Sequence, residues 1–232
     1  ASGPTVPDTS TFVQAYQLLE RYNLLAEASP AAVAHLRRGS EGAVPETPKP
    51  GDPLFQRTQN TIIASNDHAA RAAQRAAEEL GFHALVLSTY IEGEAREVAK
   101  VLTAIAKEVS ASDRPIPRPA CVIAGGETTV TVKGQGKGGR NQEMALMAAM
   151  RIEGLEDIAI ACLATDGTDG PTDASGALAD GNTVRRAAQL GLDPWKHLEG
   201  NDSYPFFAAL GDLLLTGPTN TNVNDLAFVF VW

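Results

Sequence analysis

Short apolar segments alternate with helical segments along most of the chain, and this alternation constrains the fold more than any other feature. Apolar runs of strand length occur at 61–64, 84–87, 121–124, 158–163, 213–215 and 226–231. Helical patterns lie between many of them, at about 67–80, 94–109, 141–151, 182–190 and 204–210. Strands separated by helices of about 10 to 15 residues are typical of βαβ units. We therefore predict an α/β fold with a mixed sheet covered by helices.

A segment rich in glycine, proline and charged residues, 39–53, interrupts this pattern. Its four prolines exclude regular helix or strand, because proline lacks a backbone N–H and fixes φ. Two helices, at about 12–22 and from Pro30 onward, precede it. We predict a linker at this point, with residues 1–53 forming one part of the chain and residues 54–232 forming an α/β domain.

The acidic composition excludes two classes of partner. The 232 residues include 19 Lys and Arg against 28 Asp and Glu, a formal net charge of −9 without any basic block. Nonspecific binding to nucleic acid phosphates is therefore not expected. No apolar run approaches the roughly 20 residues that span a bilayer, so we expect no membrane helix. Cys121 and Cys162 lie in strand-like apolar runs, which favours a reducing, cytoplasmic location.

A glycine-rich stretch at 125–143, GGETTVTVKGQGKGGRNQE, is the first candidate site. Alternation at 128–132 predicts a hairpin arm, and the glycines end where a helix begins. Free backbone N–H groups and the positive helix end would meet there beside Lys137 and Arg140, which suits an anion. The literal G-x-G-x-x-G pattern keeps a dinucleotide site open, although such a site needs a buried parallel strand before the glycines. A flexible loop is the other alternative.

An Asp-rich stretch at 165–180 follows the apolar strand 158–163 directly. Ligands of α/β sheets gather beyond the carboxyl ends of strands. Asp166, Asp169 and Asp173 could therefore bind Mg²⁺ beside a phosphate, or one of them could accept a hydroxyl proton. Asp and Gly are also common turn formers, so a purely structural role is an equal alternative.

Two further polar segments are candidates for ligand contacts. Asn201 and Asp202 of the NDSY segment either cap the following helix or line a site. The loop 216–225, TGPTNTNVND, suits hydrogen bonds to hydroxyl and phosphate groups, or an ordered turn. The histidines are scattered without metal-ligand spacing, and no G-x-S-x-G elbow is present, so neither zinc nor a nucleophilic serine is expected.

Taken in order, five segments resemble the MOFRL module of the class II glycerate kinase family, some of whose members are labelled hydroxypyruvate reductases. The segments are ASGPTVPD (1–8), AGGETTVTVKGQGKGGRNQE (124–143), ATDGTDGPTDASGA (164–177), NDSY (201–204) and TGPTNTNVNDL (216–226). The family has a further N-terminal Rossmann-like α/β domain. The resemblance implies a truncated C-terminal part, with 1–53 as the end of that domain plus linker and the MOFRL signature in 119–232.

The resemblance implies ATP-dependent phosphoryl transfer to D-glycerate, giving 2-phosphoglycerate and ADP, with Mg²⁺ bound together with ATP. Arg140 and Asp169 are the catalytic candidates, and Asp166 and Asp169 the metal candidates. Candidates for phosphate or nucleotide binding are Gly136, Lys137, Gly138, Gly139, Glu127, Asn141, Glu143, Thr219 and Asn222.

Two other functions are left open by the sequence. The family label and the literal glycine pattern suggest an NAD(P)H-dependent hydroxypyruvate reductase. An inactive or regulatory fragment is the second alternative, because the family's active site lies between the two domains and a catalytic lysine is expected in the absent one. The expected partners are glycerate, ATP and the missing N-terminal domain. A homo-oligomer is left open.

Overall fold

The computed structural model of the chain describes Gly3 and residues 5–232. Ala1, Ser2 and Pro4 of the ASGPT segment lie outside the described residues. The chain divides into two compact units, Ala1–Ile63 and Ala64–Trp232. The division falls beyond the proline-rich segment at which we placed the linker.

The first unit contains two helices, α1 (Phe12–Arg21) and α2 (Pro30–Ser40), and a short 3₁₀ turn at Pro53–Phe55. Thr11 and Gln14 form a capping box at the start of α1. Phe12 packs on α2 at Gly39, where a Cβ atom would lie 2.2 Å from the phenyl ring, so only glycine fits there. The strand predicted at 61–64 is wrong: the segment is irregular, and Ile63 is 91% exposed.

The second unit is built on a six-stranded sheet with strands β1 (His83–Ile91), β2 (Ala120–Gly126), β3 (Ile158–Ala164), β4 (Gly176–Asp180), β5 (Leu213–Leu214) and β6 (Asp225–Val231). The strand order is β1-β2-β6-β3-β4-β5. β1 pairs with β2 in parallel, and the other pairs are antiparallel. The predicted α/β fold with a mixed sheet is therefore confirmed.

Six helices accompany the sheet: α3 (Asn66–Glu79), α4 (Ala95–Ser112), α5 (Arg140–Arg151), α6 (Thr183–Gln189), α7 (Pro194–Glu199) and α8 (Ser203–Leu210). One face of the sheet forms the larger core with α4, α5 and the short helices, and the other face packs on α3. Alternation along β2 explains this, because Val122 faces the larger core and Ile123 faces α3. In the described part of the chain no helix is long and apolar enough to cross a bilayer.

The structure differs from the sequence-based expectation in three further places. The segment 128–132 is not a hairpin arm, and its one contact of β type is a bridge between Thr129 and Glu94. Strand β4 was not predicted, because its sequence, GALAD, continues an Asp- and Gly-rich stretch that looks like a loop. Helix α7 was also missed, although Asp193 caps it and Pro194 occupies its first turn.

Replacing Ile160 in β3 with alanine tests the position of the larger core. The Ile160 side chain is fully buried. We expect Ile160→Ala to lower the free energy of unfolding by about 2–5 kcal/mol, because it removes buried methyl groups and leaves a cavity. Denaturant unfolding measures the change. The control Val101→Ala, at a position in α4 that is 60% exposed, should change stability by less than about 0.5 kcal/mol; equal losses in both variants would contradict the assignment.

Candidate functional site

A cleft of about 740 Å³ opens where α5 begins, and all of its lining lies in the second unit. The sheet explains its location, because the register places Asp225, the first residue of β6, opposite both Gly126 at the end of β2 and Ala164 at the end of β3. The segments that leave β2 and β3 therefore enter the cleft from the same edge. The starts of α5 and α8 and the side chain of Asn222 complete the lining.

Arg140, the first residue of α5, is held by two carboxylates. Its Nε and Nη2 atoms donate to the two oxygens of Asp225, at 2.5 and 3.0 Å, and Nη1 donates to Glu127 at 3.1 Å. The hydrogen bond with Asp225 raises the pKa of Arg140 above the ordinary value for arginine. Asp225 is buried, whereas the Glu127 side chain is 55% exposed. Asp225 thus holds the guanidinium in place. The contact with Glu127 is exposed, so a ligand could take the place of Glu127.

The sequence did not predict Asp225 as a partner of Arg140, because the two residues are 85 positions apart. In the sequence alone, Asp225 belongs to the polar loop that precedes β6. An acidic residue that directly begins an apolar strand is a signal that could have singled it out, since such a position is buried at the sheet edge.

Asp169 caps the first turn of α5. One carboxylate oxygen accepts hydrogen bonds from the backbone N–H and the side-chain amide of Asn141, and the other accepts from the N–H of Gln142 at 2.9 Å. The residue is only 1% exposed. Burial raises its pKa from 3.8 to about 6, while the hydrogen bonds from Gln142 and Asn141 act in the opposite direction.

This arrangement gives Asp169 a different role from the catalytic and metal-binding roles that we assigned from the sequence. Both oxygens are taken by donors of α5, so the carboxylate holds the helix end in place. Asn141, which we predicted to contact phosphate or nucleotide, instead donates its side-chain amide to Asp169. Gly139 permits the close approach: a Cβ atom there would lie 2.3 Å from the Asp169 carboxyl carbon.

The first part of the glycine-rich segment binds protein groups. The N–H groups of Lys133 and Gly134 donate to Asn201 Oδ1, at 2.7 and 2.9 Å. The N–H of Gly136 donates to the carbonyl of Gly200, and that of Lys137 donates to Asp202. The predicted use of the Gly136 and Lys137 N–H groups for phosphate is therefore replaced by contacts within the chain.

The second part of the segment is different, because it leaves donors unused. Among the residues that the structure describes, the N–H groups of Gly138, Gly139 and Arg140 have no hydrogen-bond acceptor. The three residues line the cleft at the positive end of α5. Of the N–H groups in the glycine-rich segment that we predicted to bind an anion, these three remain as candidates.

Lys137 and Glu143, both predicted to contact phosphate or nucleotide, make contacts within the protein. The Lys137 ammonium lies 4.1 Å from the centroid of the Tyr204 ring, in a cation–π contact. Glu143 is buried, pairs with Arg96 at 2.8 Å, and accepts a hydrogen bond from Asn201 Nδ2 at 2.9 Å. Glu143 and Asn201 both line the cleft, and Asn201 also binds the start of the glycine-rich segment.

Asp166 and Asp169 of the Asp-rich segment both line the cleft, and Asp166 is the more exposed of the two. Its Oδ1 accepts from the N–H and hydroxyl of Thr168, and its Oδ2 accepts from the amide of Asn222 at 3.1 Å. Both Asp166 and Asn222 line the cleft. Thr219 instead donates its hydroxyl to the carbonyl of Thr165, which stabilises the loop. No group of three His, Cys, Asp or Glu side chains in the described residues could hold a metal by itself.

The sequence and the structure both match known proteins. Residues 120–225 match the MOFRL family. The chain is 43% identical over 226 residues to the D-glycerate 2-kinase of Thermotoga maritima, with 97% of this chain and 51% of the relative covered. It is 38% identical over 233 residues to a putative hydroxypyruvate reductase of Agrobacterium vitis, with 100% and 51% covered. Identity to the glycerate kinase of Macaca fascicularis is 33% over 278 residues, with 100% and 68% covered.

A crystal structure of glycerate kinase from Thermotoga maritima superposes on the chain with a TM-score of 0.82 at 42% identity. The match covers all of this chain and 53% of that one. The chain spans about half the length of the bacterial relatives named above.

The raised pKa of Asp169 predicts a specific pH dependence of stability. Between pH 3.8 and about 6 the native state keeps the Asp169 proton while the unfolded state has lost it. The free energy of unfolding should therefore fall as pH rises through this range, by at most about 3 kcal/mol. Asp169→Asn cannot titrate and should lack this decline.

Denaturant unfolding of both proteins from pH 4 to pH 7 measures the effect, and the difference between them at each pH removes the contribution of other groups. A difference that does not change with pH would show that Asp169 titrates in its ordinary range.

Proposed function

This chain belongs to the glycerate kinase family that carries the MOFRL domain, and from that membership and the geometry of the cleft we propose that it supplies part of the active site of a D-glycerate 2-kinase. The proposed reaction transfers the γ-phosphoryl group of ATP to D-glycerate, giving 2-phosphoglycerate and ADP. ATP and glycerate are the proposed small-molecule partners.

The arrangement of Arg140 and the free N–H groups is the observation that carries this proposal. Phosphoryl transfer depends mainly on positioning and on stabilising charge at the phosphoryl oxygens. Three free N–H donors, a helix N-terminus and a fixed guanidinium meet at one end of the cleft. These groups are donors and positive charges held in place before any ligand binds, which is what a transferring phosphoryl group requires.

We assign different tasks to the two partners of Arg140. Asp225 uses the Nε edge of the guanidinium and is buried, so it keeps the plane of the group fixed. Glu127 uses one N–H of Nη1 and is exposed to the cleft. An incoming phosphoryl oxygen or the glycerate carboxylate can replace Glu127 without disturbing Asp225. Arg140 then binds the anion with a charge-assisted hydrogen bond.

Magnesium fits this cleft as an ion that arrives with ATP. Mg²⁺ keeps several waters and is commonly bound by one or two carboxylates together with substrate phosphates. Asp166 is the residue that we propose would contact it, since its carboxylate lines the cleft. When bound, the ion would neutralise charge on the ATP phosphates. Asp169 is less suited, because it is only 1% exposed, whereas Asp166 is partly exposed.

The geometry disfavours the alternative of an NAD(P)H-dependent reductase. A dinucleotide fingerprint needs a strand that leads straight into the glycines. Here β2 ends at Gly126, and the segment up to Gly139 is irregular apart from the bridge at Thr129. The glycines also serve to pack against protein, since a Cβ atom at Gly134 would lie 2.2 Å from the carbonyl oxygen of Gly200.

The proposal is tested with the protein encoded by the complete open reading frame that contains this sequence. Phosphorus NMR of a mixture with ATP, Mg²⁺ and D-glycerate should show ADP and 2-phosphoglycerate. A parallel mixture with hydroxypyruvate and NADH should show no loss of NADH. The reverse pattern would establish the reductase, and no turnover of either mixture would favour the inactive or regulatory protein. The same assay of the 232-residue chain alone shows whether this chain is sufficient for phosphoryl transfer.

Arg140→Lys should reduce kcat/KM for phosphoryl transfer by about 100-fold or more, because lysine cannot keep the two-point contact with Asp225 while binding an anion. Arg151→Lys is the matched control, since Arg151 is the last residue of the same helix and lies outside the cleft. It should retain the wild-type rate. Steady-state kinetics of both variants measures the effect, and near-wild-type turnover of Arg140→Lys would show that Arg140 is structural.

A further inference from the structure

Ser203 lies at the edge of the cleft, and its hydroxyl has no partner among the residues that the structure describes. The residue is 2% exposed, and it lines the cleft beside Gly138. Its hydroxyl makes no hydrogen bond with any residue that the structure describes. Buried polar groups in folded proteins nearly always have a hydrogen-bond partner, which is either protein, water or ligand. A hydroxyl that lies at the wall of the cleft without a protein partner is therefore available to a ligand bound there.

The backbone around Ser203 brings the hydroxyl close to the free donors at the start of α5. A Cβ atom on Gly138 would lie 2.2 Å from Ser203 Oγ, so the hydroxyl lies directly against that glycine. The N–H of Tyr204 donates to the carbonyl of Lys137, which ties the first turn of α8 to the glycine-rich segment. The N-termini of α5, with 12 residues, and α8, with 8 residues, thus converge on Gly138.

The charges near this point leave room for an anion. Asp169 directs its oxygens at the N–H groups of Asn141 and Gln142. Asp202 accepts from the N–H of Lys137, and its second oxygen lies 3.3 Å from His197 Nδ1. Both nearby carboxylates are therefore occupied by donors. The two helix N-termini contribute partial positive charge at Gly138.

We propose that Ser203 is a further ligand-binding residue, whose hydroxyl donates to an oxygen of the oxyanion held by the N–H groups of Gly138, Gly139 and Arg140. The identity of that oxyanion as a nucleotide phosphate rests on the proposed kinase function. The glycerate carboxylate presents the same acceptor chemistry. The hydroxyl extends the anion site from α5 to α8, and it explains why the NDSY segment carries a serine at this position.

Ser203→Ala in the protein encoded by the complete open reading frame tests the inference. Removing a hydroxyl that has no protein partner should leave the thermal midpoint unchanged, whereas removing a hydrogen bond to an anion should weaken binding by about 10-fold to 100-fold. Calorimetric titrations with inorganic phosphate, Mg²⁺-ADP and D-glycerate measure the affinities separately. Losses in the phosphate and ADP titrations identify a nucleotide phosphate, and a loss with glycerate alone identifies the carboxylate.

Ser175→Ala is the matched control. Ser175 is fully buried, but its hydroxyl donates to the carbonyl of Leu214 at 2.9 Å. This variant should lower the thermal midpoint and leave all three affinities unchanged, the opposite of the result expected for Ser203→Ala.

Unchanged affinities of Ser203→Ala for all three ligands, or a wild type that binds none of them, would overturn the inference. The kinase assay keeps this failure separate from failure of the proposed function. A wild type that phosphorylates glycerate while Ser203→Ala binds normally refutes only the role of Ser203. A wild type that is inactive but loses phosphate affinity on Ser203→Ala substitution refutes only the kinase.

Discussion

The buried carboxylate of Asp169 at the first turn of α5 is the interaction on which the rest of the cleft depends. It accepts the N–H groups of Asn141 and Gln142 and so fixes where the helix begins. The N–H groups just before that point are left free, and Arg140 is placed at the opening, where Asp225 can hold its guanidinium. Hydrogen bonds to a charged group commonly contribute about 1.5–3 kcal/mol each, so this geometry is strongly held.

The site could be predicted from the sequence only where local pattern determines it. Glycines followed by a helical pattern indicate free N–H groups at a helix start, and Arg140 at its first position follows from the same pattern. The roles of the carboxylates could not be predicted, because they depend on tertiary register. Asp225 reaches Arg140 only because β6 lies between β2 and β3. Asp169 becomes a helix cap only because Gly139 lets it approach.

The same distinction applies to the fold. The alternation of apolar strands and helices was enough for the α/β class, since strongly periodic segments are decided locally. The structure of segments without that periodicity is not decided locally. The predicted strand at 61–64 is irregular and exposed, because short apolar runs form strands only beside a partner. Conversely, β4 forms within a polar stretch because β3 and β5 provide its neighbours.

The central claim is that the N–H groups of Gly138, Gly139 and Arg140 form the anion site, and amide proton–nitrogen NMR spectra test it most directly. On titration with inorganic phosphate, these three amides should move downfield together, because each gains an acceptor. The amides of Lys133 and Gly134, which already donate to Asn201, serve as the internal comparison and should stay in place. Shifts at Lys133 and Gly134 without shifts at the three predicted amides would contradict the account.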